Sequence, residues 1–337
     1  MGHQYTREDS MKKAQKKWIV LSGIFIFFLA TIPCLFAEGT KEEEKYPSKS
    51  IDYVIPFDPG GQSDITAQYQ KEDLQKALGV NILIKHMPGA GGAVAWANIV
   101  KTAPDGYTIC GNNIPHIIIQ PIVRDNAGYD TDQLVPVYCF QTTPIGLAVL
   151  KDSQFKSLQD FLDYAKSHPE GITIGGSGTH SGHHLALLQL QKLTGTKFTY
   201  IPSTGAAPSV ANFLGGHTMA LFANSNDLVQ HQDKIIVLAM GTEKRFPLLP
   251  DTPTFKEQGI NMTAGIDRGV CVPSGTPDNV ISTLERAFTV VCESEKFVSK
   301  MEELGFIVQR MRSKEFKKYI DNKKDEIIET LKELSEI

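Results

Sequence analysis

The chain has 337 residues, an ordinary globular composition, and 34 basic against 38 acidic side chains. That length holds two domains, each able to bury its own core. The mildly negative balance, with no long basic run beyond the N-terminus, argues against nucleic acid as a partner.

The N-terminus reads as an export signal. Lys12, Lys13, Lys16 and Lys17 precede the apolar run Trp18 to Ala30, and Thr31 to Ala37 supply a cleavage region. Residues 1–37 are expected to be a signal peptide cleaved near Ala37, with 38–45 a solvated charged linker. Met11 is the natural start of such a peptide. Two anchored alternatives stay open, a lipid on Cys34 and an uncleaved N-terminal helix, although Thr31-Ile32-Pro33 fits a lipoprotein signal badly. The expected address is exported and periplasmic. Cys110, Cys139, Cys271 and Cys292 read as buried free thiols, with pairing open in an exported protein, and their spacing makes no zinc site.

In chain order, Ile51 to Ile55 is a buried strand and Pro56 to Asp64 a loop with two adjacent glycines. Asp64 opens a helix in which Leu74, Ala77 and Leu78 share a face, and Gly79 stops it. Val80 to Lys85 is a second strand, followed by the Pro88–Gly92 loop and a helix from Ala93 to about Lys101. Tyr107 to Cys110 is a third strand, with Asn112 and Asn113 beyond it. This alternation argues for a parallel α/β sheet, whose ligands gather beyond the carboxyl ends of the strands. The glycine loop lacks the lysine of a phosphate loop and the third glycine of a dinucleotide loop. It suits a small anion at a helix N-terminus.

Leu134 to Phe140 and Leu147 to Leu150 read as strands, the second crossing into another lobe. Helix Ser157–His168 precedes strand Ile172–Gly175. The Gly176–His183 loop and a Leu-rich helix to about Thr194 then repeat the opening design. Strand Lys197–Tyr200 leads to a third anion-type loop, Pro202 to Pro208, and a helix ending at Leu214. Met219 to Phe222 is a strand leading to Asn224. Ile235 to Met240 is a strand expected to return to the first lobe, Lys244 to Gly259 a surface loop, and Asp267 to Val272 a strand. Helices Asp278–Cys292, Ser294–Leu304 and Ser313–Leu334 finish the chain. The result is two α/β lobes joined by two strands: first lobe 46–145 and 239–337, second lobe 146–238. Their loops face a cleft able to close on a ligand.

Seven short motifs then identify a resemblance. They are Pro56-Phe57-x-x-Gly60-Gly61-x-x-Asp64, Pro88-Gly89-Ala90-Gly91-Gly92, Pro104-Asp105-Gly106-Tyr107-Thr108, Gly205-x-Ala207-Pro208, Leu214-Gly215-Gly216, Leu249-Pro250-Asp251-x-Pro253-Thr254 and Pro273-x-Gly275-Thr276-Pro277. Each is weak alone; their order and spacing are specific. From Tyr46 onward the chain resembles the extracytoplasmic substrate-binding component of tripartite tricarboxylate transporters, the Bug family. The resemblance implies a two-lobed periplasmic-binding-protein fold, type II-like, that closes on a small organic acid. Di- and tricarboxylates, amino acids and aromatic acids are the implied ligands, gripped by loop N–H groups, hydroxyls and water. It also implies the membrane permease of such a transporter as partner. A monomer is the expected state, and no cofactor or metal is expected.

The resemblance places Phe57, Gly60, Gly61, Asp64 and Gly91 in the first jaw. It places Ser177, Thr179, His180 and Ser181 with Gly205, Ala206 and Ala207 in the second, and Asp267 facing the ligand's distal end. Asn113, Thr204 and Asn224 join them as loop residues beyond strands. Each has a plainer reading: Asp64 as a helix-terminal charge, the serines and Thr179 as cap and turn residues, Asp267 as a strand-end charge. Arg268 offers a bidentate carboxylate contact or a merely solvated charge. His86-Met87 replaces the family's usual Asn-Arg, Ser203-Thr204 its Tyr-Lys and Met219 its Asp, which points to a ligand unlike those of typical members. His180, His183 and His184 have no carboxylate or cysteine close in sequence, so they make no expected metal site. The alternatives are an exported hydrolase using the Ser177–His184 loop, and a binding protein serving as a sensor input. The first lacks a Gly-x-Ser-x-Gly elbow and an obvious acid.

Overall fold

Strand β1 (Ile51–Ile55) is almost wholly buried, as a central parallel strand must be. It pairs in parallel with β2 (Ile82–His86) and β3 (Thr108–Ile114). Helices α1 (Gln62–Leu78) and α2 (Ala93–Ile99) make the crossovers. Gly79 ends α1 in the left-handed conformation, φ 73°, returning its N–H to Gln75. The computed structural model describes residues 46–334 and 336–337, and 46–337 form one compact unit. The expected signal peptide and its cleavage site, Cys34 and the 38–45 linker lie outside the described residues.

The chain does not stop at two short strands after β3. β4 (Leu134–Leu150) is one 17-residue strand running through Pro136 and Pro144. The segment Gln141-Thr142-Thr143-Pro144 reads as a break because it is polar. Its buried side chains satisfy one another instead: Gln141 donates to the Thr143 hydroxyl and accepts from Thr66. The first part of β4 pairs antiparallel with β9 (Gly265–Pro273) and β10 (Ile307–Arg312). Its last six residues pair with β7 (Ala220–Asn224) and β8 (Ile235–Met240). β5 (Thr173–Gly176) joins β7 to β6 (Thr199–Pro202), both in parallel. The order β2-β1-β3-β9-β4-β7-β5-β6 thus makes two sheets that share β4.

Ile235–Met240 therefore stays with the second sheet instead of returning to the first, and β9 makes the return. β10, a half-exposed strand with arginines at positions 310 and 312, carries no regular apolar alternation and is invisible to pattern reading. Helix α3 (His116–Val123) is also unexpected, because Pro121 argues against it. The carbonyl that Pro121 cannot bond is that of Ile117. It accepts instead from the Tyr129 and Thr131 hydroxyls, at 3.2 and 3.0 Å.

Apolar residues cover both faces of each sheet. On one face of the first sheet Leu74, Leu284 and Phe288 pack against Tyr53 and Phe140. On the other face Trp96, Ile118 and Phe316 are buried. α4 (Leu158–Ser167) and α5 (Gly182–Thr194) bury Phe161, Leu187 and Leu190 against the second sheet. Cys110, Cys139, Cys271 and Cys292 are all free and buried. After the short α7 (Ser225–Gln230), α8 (Asp278–Cys292), α9 (Glu295–Glu303) and α10 (Ser313–Glu333) follow the expected spans closely.

Candidate functional site

The loops that leave β1, β3, β5 and β7 converge where β4 and β9 pass between the sheets. There they enclose a cavity of about 20 Å³. Six of the residues expected from the sequence line it: Phe57, Gly61, Asn113, Ser177, Ala206 and Asn224. Gln62, Ser63, His116, Ile266 and Arg268 complete its wall. A space of that size holds about one water molecule.

Two helices begin at this cavity without a side-chain cap. The N-cap of α1 is Gly61, and that of α6 (Ala206–Leu214) is Gly205. Their first-turn N–H groups are donors that the helix itself does not use. The preceding loop is held by Asp64, whose carboxylate takes the Gly60 N–H at 2.8 Å, His86 at 2.8 Å and Gln68 at 3.1 Å. Burial alone would push the Asp64 carboxyl up, but the Gly60, His86 and Gln68 bonds hold it below its usual value. Gly60, at φ 81°, and Asp64 therefore brace the loop, and their polar groups are already paired. Phe57 is wedged edge-on against Trp96 and His116, with centroids 6.4 and 5.7 Å apart.

A hydrogen-bonded chain runs round the wall and crosses between the lobes. Ser177 Oγ and the Ser177 N–H both reach Nδ1 of His183, at 2.8 and 3.0 Å. That makes Nδ1 the acceptor and leaves the ring proton on Nε2, which faces Asn224 Oδ1 at 3.3 Å. Asn224 donates to Gln62 Oε1 at 2.8 Å, and Gln62 donates to Asp227 Oδ2 at 2.7 Å. Burial pulls His183 down to about 3, so its ring is neutral. Burial likewise raises Asp227 to about 6, against the opposing pull of Asn224, Gln62 and Arg268. Ser177, His183 and Asn224 look superficially like a nucleophile, base and orienter. A base with a value near 3 takes no proton at neutral pH.

Along β9 the strand alternation separates two neighbours. Arg268 turns to the cavity and is 4% exposed. Asp267 turns away, bonded by the Thr142 and Tyr319 hydroxyls, so it is not in the cavity wall where the resemblance put it. Of the two readings the sequence leaves for Arg268, a carboxylate contact or a solvated charge, its burial at the cavity wall excludes the solvated one. His116 lies in a stretch whose sequence shows no readable element, and Gln62 and Ser63 fall between the fixed positions of a motif.

The other expected residues surround the cavity without lining it. Gly91 and Thr179 mark a close approach of the two lobes: a Cβ on Gly91 would stand 3.0 Å from the Thr179 carbonyl. His180, at φ 55°, is half-buried and lies 4.0 Å from Glu336. Ser181 caps α5, accepting from the His184 N–H. Thr204 is exposed, Gly205 stands beside Asp58, and Ala207 lies opposite Gly60. Among the described residues no cluster of His, Cys, Asp or Glu could hold a metal. A wider pocket, about 670 Å³, opens on the Asp267 side of β9. Its Asp267, Glu243, Arg245 and Lys323 already have protein partners, whereas the Thr242 hydroxyl in its wall has none.

Residues 66–334 match the model of the tripartite tricarboxylate transporter family receptor. The chain belongs to this family. A UPF0065 protein from the gbd 5′ region of Cupriavidus necator is 28% identical over 282 residues, 82% of this receptor and 85% of the relative. The periplasmic binding protein BugD superposes with a TM-score of 0.82 at 25% identity, over 86% of this receptor and 99% of BugD. A Rhodopseudomonas palustris protein solved with adipate gives 0.81 at 25%, over 86% and 98%. The receptor is a two-lobed solute-binding protein and not an enzyme, which removes the hydrolase alternative. No helix among the described residues is long and apolar enough to cross a membrane.

Proposed function

We propose that this receptor is exported, captures a small organic acid between its lobes, and delivers it to the membrane permease of a tripartite tricarboxylate transporter. One observation carries the reading. Two uncapped helix N-termini, one from each lobe, open onto one buried cavity at Gly61 and Ala206. Backbone N–H groups so placed accept a carboxylate at no cost in side-chain ordering. The relative solved with adipate supports the same class of solute.

On this reading Gly61, Ala206, Ser177 and Asn113 touch the solute. Gly60, Asp64, Gly91, Thr179, Ser181 and Gly205 hold the loops in place. Closing the lobes replaces the acid's hydration with fixed donors and so selects by shape. The test is a thermal-shift and calorimetric screen of folded, ligand-stripped chain with mono-, di- and tricarboxylates and amino acids. At least one acid should raise the melting temperature in a concentration-dependent way. No stabilisation by any of them would remove the reading. Delivery is tested separately, by capture of permease subunits from detergent-solubilised membranes with the loaded receptor. Equal recovery with loaded and stripped receptor would separate binding from transport.

A further inference from the structure

We infer that Arg268 and His116 form a second anion-binding subsite in the cavity wall, so that the solute carries two anionic groups, one for each end. The inference rests on the proposed reading of the cavity as the solute site.

Arg268 is almost fully buried, and among the described residues no carboxylate lies within ion-pair distance of it, Asp227 and Asp267 acting on it from further away. Its NH1 donates only to the Thr143 hydroxyl and, at 3.4 Å, to the Ile266 carbonyl. Its Nε–H has no partner at all. A guanidinium stripped of water, with Asp227 and Asp267 acting on it only from beyond ion-pair distance, is costly, and the chain keeps it at the wall of a cavity. His116, 1% exposed, stands at the same wall. Its Nε2 faces the Gly182 N–H at 3.4 Å, which makes Nε2 the acceptor and puts the proton on Nδ1. That Nδ1–H is buried and unpartnered. Burial, reinforced by His183 and Arg268, holds the ring neutral, so it donates without adding charge. A cation with a free N–H and a neutral donor beside it together fit one carboxylate or a similar oxyanion. The uncapped starts of α1 and α6 at Gly61 and Ala206 fit the other. Asp267, which would have repelled an anion here, is turned to the opposite side of the sheet.

The experiment compares acids that differ by one carboxylate: butyrate with succinate, pentanoate with glutarate, hexanoate with adipate, benzoate with phthalate. Affinities are measured by calorimetry on the stripped full chain. In the pair that fits, the dianion should bind about 10- to 150-fold more tightly, the worth of a charge-assisted hydrogen bond. Arg268→Met should reduce that advantage to within about threefold, which is near experimental equality on an affinity scale. His116→Phe should remove a smaller part of the advantage. Without solute, Arg268→Met should unfold no more easily than the parent, because it removes a buried charge that no carboxylate contacts and that Asp227 and Asp267 offset only from a distance. A merely structural arginine would instead make the stripped variant less stable. Equal binding of mono- and dianions by the parent, an undiminished preference in Arg268→Met, or a marked loss of stability in that stripped variant would each overturn the subsite. Binding of no acid of either kind would overturn the solute reading itself.

Discussion

Gln62 is the side chain through which the two lobes hold each other, and replacing it is a quantitative test of closure. Its amide accepts from Asn224 at 2.8 Å and donates to Asp227 at 2.7 Å, and both partners belong to the second lobe. Gln62→Leu keeps the volume and removes both bonds. The neutral bond is worth about 0.5–1.5 kcal/mol net and the bond to a carboxylate about 1.5–3. The closed arrangement should therefore lose about 2–4.5 kcal/mol, or roughly 30-fold and upward in the closing equilibrium. A solute that binds only the closed form loses the same factor in apparent affinity. Calorimetry with the best acid from the screen measures it. X-ray scattering of the stripped chain should show a larger radius of gyration in the variant. Gln62→Glu should be worse than Gln62→Leu, since it sets a second carboxylate against Asp227, and adding Asp227→Asn should recover most of the difference. Gln62→Leu binding within threefold of the parent would refute a clasp at this position.

Three further outcomes are expected. Gly61→Val should keep the fold, because Gly61 has φ −79° and a Cβ there meets only the Asp58 carbonyl at 3.6 Å, yet it should weaken acid binding about tenfold or more by crowding the first-turn donors. Gly60→Val is the contrasting case: φ 81° makes it cost about 1–3 kcal/mol of stability, read by urea unfolding, whatever it does to binding. Gly91→Ala should also destabilise, by about 1–3 kcal/mol, because its Cβ would lie 2.5 Å from Gln120 Nε2 at φ 65°. Finally, stability should fall on the acid side. His116 and His183 are held below their unfolded value near 6.5, so the unfolded chain binds the extra protons and stability is lost as pH drops through 6.5 towards the folded values, about 3 for His183. Asp227, raised to about 6, works oppositely between about 6 and its unfolded value. His184, held down to about 4 by burial, adds to the histidine loss, so the net loss between pH 7.5 and 5.5 should be about 3 kcal/mol in urea titrations, and a flat or rising profile would contradict the burial of neutral rings.

The helices and parallel strands were legible because their cause is local. Leu74 and Leu78 repeat at helical spacing, Gly79 stops the helix, and Ile51–Ile55 is continuous and apolar. What escaped was decided by partners far along the chain. Pro121 fits a helix only because Tyr129 and Thr131 take over the carbonyl of Ile117. The polar Gln141–Pro144 segment is strand only because Thr66 and β9 pair with it. The glycine and hydroxyl loops of the site were legible as motifs, and six of their residues meet at the cavity. Arg268, His116 and Gln62 belong to no motif. Their importance comes from burial and from which hydrogen-bonding atoms lack a partner, which exists only after folding.

The shared strand β4 has a mechanical meaning. It is hydrogen-bonded to β9 from Leu134 to Pro144, and Gly241 and Ala264 stitch its hinge end at Ile145. Such a ribbon bends and twists at modest cost but resists slipping, since a one-residue slip would turn every side chain to the wrong face. It works as a flexure, in which compliance along one path comes with stiffness along the others. The jaws can then open widely and still return to the same alignment without any bearing surface to wear or drift. The loops at the rim can change their side chains without touching this spring, which is held by backbone bonds that no single side chain controls.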